Sequence, residues 1–255
     1  MTHVSSFSAF ARIIALVFAG LVVAGCAAPP PPTEVNDPLE NTNRAIHSFN
    51  RGLDTVAVRP VSQIYGTIVP DPIRFGVSNF ASNLGLPSSI INHTLQGAIR
   101  SAASNTGRFL MNTTIGIGGF LDPASALGVL EDETDFGETL HVWGTGEGAF
   151  VELPFFGPST TRDAVGQVVD IVLDPVGVVV DTPVIYYAAG AQGLSGLDFR
   201  YRFTETVDSI YYDSADSYAQ SRLIYLQNRR FDLGQDTGAT DILLEEELYD
   251  DLYFE

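Results

Sequence analysis

The chain has 255 residues, a formal charge of −18 at pH 7, 45% hydrophobic but only 17% charged residues, and 13 basic residues that are all arginine. A chain this long supports one large domain or two small ones, and a charged fraction below the usual value of about a quarter points to contact with lipid. The lack of lysine removes P-loop, Schiff-base and Ser-x-x-Lys chemistry, and so acidic a chain without basic clusters excludes nucleic acid as a partner.

Residues 1–25 read as a lipoprotein signal peptide: an apolar run from Ile13 to Val23, then Ala24 and Gly25, ahead of Cys26, the single cysteine. The run Val23-Ala24-Gly25-Cys26 resembles a lipobox, which predicts a diacylglyceryl thioether on Cys26. The competing reading is an ordinary secretory signal with an incidental thiol. Ala27 in place of Asp favours sorting to the outer membrane, and Pro29 through Pro32 make residues 26–35 an extended tether. Acyl chains contribute about 0.8 kcal/mol per buried methylene, enough in total for permanent attachment.

Four Asp-Pro pairs then mark helix starts: Asp37-Pro38, Asp71-Pro72, Asp122-Pro123 and Asp174-Pro175. Asp at the N-cap accepts from orphan amides, and Pro at the next position loses no bond. Apolar residues recur at helical spacing after the first pair (Leu39, Ile46, Phe49, Leu53), after the second (Ile73, Val77, Phe80, Leu84), along Ile99, Ala102, Ala103, Thr106, Phe109 and Leu110, and along Val165 to Val172 after Ser159, a suitable N-cap. Each stripe taken alone reads as packing against a neighbouring helix. Strand signal is confined to Phe150–Leu153 and the valines at 176–180, and a last helix carrying Tyr218 and Leu226 ends before Gly234. Beyond Leu233 the chain is an acidic tail, residues 233–255. The best candidate for a later membrane span, 168–197, is broken by Asp174, Pro175, Asp181 and Pro183.

Catalytic signatures are weak. Gly193-Leu-Ser195-Gly196-Leu197 misses the nucleophile-elbow pattern at its last position, and His47, His93 and His141 show no metal-ligand spacing and read as capping or core residues. Gly116-Ile-Gly118-Gly119 and Gly144-Thr-Gly146-Glu-Gly148 do not match a phosphate-binding loop and read as tight connectors or a hinge. No catalytic residue, metal site or cofactor is expected.

A family resemblance rests on longer stretches. Asn36-Asp37-Pro38-Leu39-Glu40-Asn41-Thr42-Asn43-Arg44, Arg59-Pro60-Val61, Leu95-Gln96-Gly97, Gly118-Gly119-Phe120-Leu121-Asp122, Asp135-Phe136-Gly137-Glu138-Thr139-Leu140, Leu153-Pro154 and Arg162-Asp163 stand in the order seen in MlaA/VacJ lipoproteins. Residues 36–232 resemble that family. The resemblance implies an all-α, ring-like assembly of amphipathic helices around a central channel, seated in the inner leaflet of the outer membrane at its periplasmic face. It also implies a function: phospholipids misplaced in the outer leaflet pass through the channel to a periplasmic carrier (MlaC-like), beside a trimeric porin, which maintains lipid asymmetry. Two other functions stand beside it, a lipid-anchored hydrolase and a non-transporting structural lipoprotein.

Within that frame each candidate site carries two readings. Trp143, Phe155 and Phe156 are interfacial anchors or core residues. Arg108, Arg162 and Asp163 meet the channel or a headgroup, or form structural ion pairs, and Gly116, Gly118 and Gly119 form a gating hinge or a fixed turn.

Overall fold

The computed structural model describes residues 35–172, 174–175 and 184–235. The signal peptide, Cys26, the tether to residue 34, the valines at 176–180 and the tail from 236 lie outside the described residues. In chain order the elements are α1 (Glu40–Leu53), a π-helical turn (Asp54–Val58), α2 (Arg59–Ile68), α3 (Asp71–Gln96), α4 (Ile99–Thr114), α5 (Pro123–Ala126), α6 (Phe136–Val142), β1 (Phe150–Leu153), β2 (Gly157–Thr160), α7 (Thr161–Val172), α8 (Val184–Arg202), α9 (Thr204–Tyr211) and α10 (Ser217–Asp232). They fall into two compact units, one through Val207 and one from Asp208, with the boundary inside α9.

The fold is helical as expected, with one small addition. β1, predicted from sequence, pairs antiparallel with the unpredicted β2, Phe150 opposite Thr160 and Leu153 opposite Gly157. The Asp-Pro signals resolve unevenly. Asp122 caps α5 by accepting from the Ser125 amide at 3.1 Å, and α3 opens at Asp71 with Pro72 in its first turn. Asp37-Pro38 instead opens a turn, and α1 begins at Glu40. Asp174-Pro175 borders residues 176–183, outside the described residues.

Ser159 is not the cap of α7. It lies in β2, and Thr160 takes the role, its Oγ1 accepting from the Asp163 amide at 3.2 Å. Asp135 and Asp216 cap α6 and α10 in the same way.

In the first unit α4 and α8 pack against α3, α8 also packs on α2, and α6 crosses α7. That last crossing is close because a Cβ on Gly166 would stand 2.3 Å from the Gly137 nitrogen, so any other residue would push the helices apart. The second unit centres on α10, which buries Tyr218 and Leu226.

Among the described residues no helix is long and apolar enough to cross a membrane. α3 has the length, about 39 Å at 1.5 Å per residue, but it carries Arg74, Asn83, Asn92 and His93 along its buried face.

Candidate functional site

The helices of the first unit are polar inside and apolar outside. α4 buries Ala102, Asn105, Arg108 and Asn112, while Ile99 and Leu110 are 64% and 57% exposed. α1 buries Asn43, His47 and Asn50 and exposes Phe49, with Leu39 exposed just ahead of it; α2 buries Ser62 and Gly66 and exposes Val61, Ile64 and Ile68. Buried apolar residues in this unit are mostly alanines, with Leu86, Phe150 and Val151 the larger exceptions. In water each exposed Ile or Phe forgoes about 1.5–3 kcal/mol of burial, and so many large apolar side chains exposed on one unit mark a surface that meets something other than water.

The interior is held by hydrogen bonds and ion pairs. Along one edge of β1, Asn43 donates to the Phe150 carbonyl at 3.2 Å and accepts from the Glu152 amide at 3.0 Å. Asn50 donates to the Leu153 carbonyl at 3.0 Å and accepts from the Phe155 amide at 2.9 Å. Two side-chain amides on one face of α1 thus take the place of a neighbouring strand, and His47 lies 3.3 Å from the Glu152 carboxylate between them. The edge is thereby satisfied without a further strand.

Charges are paired deeper in. The Arg200 guanidinium donates to both Asp54 oxygens at 2.9 Å, joining α8 to the π-helical turn. Arg74 bonds Asp198 and Asp71 and lies over the Tyr201 ring at 4.9 Å. Burial, together with the Asp198 charge, pushes the Tyr65 hydroxyl pKa up. Arg74 itself is desolvated, which favours its neutral form, but hydrogen bonds to Asp71 and Asp198 prevail and hold it above the ordinary arginine value.

Of the sequence candidates, Arg108 is buried and donates to Asp122 at 3.1 Å and to Ser125 Oγ at 2.9 Å. Desolvation works against the Asp122 charge, yet bonds from the Ser125 hydroxyl and amide, Asn112 and Arg108 hold its carboxyl below the usual range. Arg162 and Asp163 form a separate cluster at the start of α7, with Arg162 Nε 3.0 Å from Asp163 Oδ1 and Asp163 also accepting from Thr160. Each of these charges therefore has a protein partner.

The Gly116–Gly119 turn is closed by amide bonds from Gly118 to Thr113 (2.9 Å), Gly119 to Asn112 (2.8 Å) and Leu121 to Gly116 (2.8 Å). A Cβ on Gly119 would meet the Asn83 side chain at 2.5 Å, and Ile117 is held at φ 58. Trp143 is exposed, donates to the Leu95 carbonyl at 3.2 Å and meets Phe136 edge-on at 5.7 Å. Phe155 and Phe156 are 72% and 67% exposed at the β1–β2 tip.

Sequence reasoning missed Asn43, Asn50, Asp54 and Asp198. Only the first two left a trace, amides at one helical face with His47 between them. Ser195 lies within α8 rather than on the strand–turn–helix elbow a nucleophile needs.

Comparison with known proteins agrees with this arrangement. The family model described as MlaA lipoprotein matches residues 35–232. The "Intermembrane phospholipid transport system lipoprotein MlaA" of Shigella flexneri is 35% identical over 225 residues, covering 86% of this chain and 88% of that one. The Haemophilus influenzae protein of the same name is 31% identical over 226 residues, covering 86% and 89%. A solved structure reported as the "structural basis for maintenance of bacterial outer membrane lipid asymmetry" superposes with a TM-score of 0.64 at 32% identity, covering 77% of this chain and 98% of that chain. The chain belongs to the MlaA lipoprotein family.

Proposed function

We propose that this protein is an acyl-anchored lipoprotein of the Gram-negative outer membrane that returns misplaced phospholipids from the outer leaflet toward the periplasm. The observation that carries the reading is the inverted polarity of its helices, with amides and charges inside and isoleucine, leucine and phenylalanine outside. A phosphate headgroup entering bare hydrocarbon faces an idealised cost of order tens of kcal/mol. A polar path through an apolar body lowers that cost while the acyl chains stay in apolar surroundings. Helices suit the body because their backbone groups are satisfied internally even against lipid.

In this reading the helices surround an amphipathic channel seated in the inner leaflet, a porin holds them there, and a soluble MlaC-like carrier collects the lipid. Arg108, Arg162 and Asp163, each already paired, brace the wall of the path rather than meet the headgroup. No bond is made or broken. The names of the Shigella flexneri and Haemophilus influenzae relatives support the transport role.

The test is a deletion strain probed with a reagent that labels outer-leaflet phospholipid. Label rises on deletion, returns to the parental level with the wild-type gene, and stays high with Cys26→Ala. Parental labelling in the deletion strain contradicts the reading.

A further inference from the structure

We infer that the tip of the β1–β2 hairpin, Phe155 and Phe156 backed by Phe49, enters the phospholipid leaflet and adds a localised attachment point to the acylated Cys26 and the apolar helix exterior. The inference rests on the membrane-seated reading above. Four observations meet at this tip.

Phe155 is one of two non-glycine residues with positive φ among the described residues, at 70°, and it is exposed. Asparagine would occupy the left-handed conformation more readily, so an aromatic ring projecting outward there points to a role outside the fold. The backbone that carries it is fixed, because Asn50 Oδ1 accepts from the Phe155 amide at 2.9 Å and Phe49 meets the Phe155 ring edge-on at 5.4 Å. The outer surface is also uncharged: Glu152 is the single ionisable residue from Ala149 to Thr161, and it is buried.

The fourth observation selects lipid over a protein partner. The Asn36 carbonyl accepts from the Phe150 amide at 2.7 Å, so the tether ends at the base of this same hairpin. Asn36 stands ten positions after Cys26, and a Pro-rich stretch reaches about 3.1 Å per residue, or about 31 Å in all. β1 climbs about 3.4 Å per residue from Phe150 to the tip. Anchored acyl chains therefore keep the tip within reach of the leaflet they occupy. Uncharged aromatic side chains suit the boundary between headgroups and acyl chains.

The experiment uses mature acylated protein carrying Phe156→Cys. The Cys26 thiol is consumed in the thioether, so an environment-sensitive dye reports on position 156 alone. On phosphatidylethanolamine and phosphatidylglycerol vesicles, lipids brominated in the acyl chain quench the dye, while aqueous iodide does not. A dye on floated protein that stays open to iodide overturns the inference and leaves the transport reading standing. A dye already shielded before vesicles are added assigns the tip to a second copy or another protein and overturns it as well. Protein that neither floats nor carries phospholipid removes both readings.

A second variant guards against misfolding. In the non-acylated Cys26→Ser protein, Phe155→Asn with Phe156→Ser keeps the melting temperature in detergent and lowers vesicle partitioning at least about tenfold. Unchanged partitioning contradicts the inference.

Discussion

Two arginine–aspartate pairs, one buried at both ends and one with a half-buried carboxylate, place the same chemistry in different settings. Arg200 and Asp54 lie 146 residues apart and meet through a forked pair of 2.9 Å bonds that ties the last turn of α8 to the π-helical turn after α1. Arg108 and Asp122 are 14 residues apart, and the Asp122 carboxylate also accepts from Ser125 and Asn112 as the cap of α5. The first pair sets topology. The second belongs to a local cluster that retains most of its bonds when the arginine is lost.

The difference ranks the expected effects. Arg200→Ala leaves a buried carboxylate without its forked partner and costs about 3–5 kcal/mol, read as a fall in thermal or denaturant midpoint in detergent. Arg108→Ala costs less, roughly 1–3 kcal/mol, because Ser125 and Asn112 still hold Asp122. Equal losses for the two variants break the comparison.

Asp122→Asn gives the smallest effect and sharpens the contrast through pH. The folded carboxyl has a lowered pKa, so its contribution is present above the unfolded value near about 3.9 and is lost as pH falls through the folded value. The wild type therefore loses stability on acidification below about pH 4, and Asp122→Asn shows a shallower loss across that window. Parallel acid profiles for the two proteins contradict this role for Asp122.

Much of the secondary structure was legible in the sequence. Phe150–Leu153 forms β1 at the predicted residues, Asp122 caps the helix it introduces, and α10 ends just before Gly234. The stripes along α1 and α4 were also visible, but packing against a neighbour, the reading each stripe suggested alone, holds for Ala102, which is buried, and fails for Ile99, Leu110 and Phe49, which face outward. Periodicity reports that a helix has two faces; which one meets the interior depends on the solvent. In lipid the exterior is apolar and the amides and charges turn inward.

The clusters were less legible. Asp54 and Arg200 carry no local pattern linking them, and Asn43 and Asn50 find their partners more than a hundred residues away in β1. The second half of the hairpin was hidden for a related reason: Gly157-Pro158-Ser159-Thr160 has neither alternation nor β-branched density, and it becomes a strand by pairing with β1. Sequence alone could not place the Ser159 or Thr160 hydroxyl at the α7 cap, because either could serve and the pairing of β2 decides.

The most direct test of the central claim is mass spectrometry of lipid retained by the purified, acylated protein after extraction in mild detergent. The inverted helices predict bound glycerophospholipid, intact and reduced when Arg108 is replaced within the polar wall. Protein that emerges free of phospholipid, or with lysophospholipid and fatty acid in its place, contradicts a path that carries lipids whole.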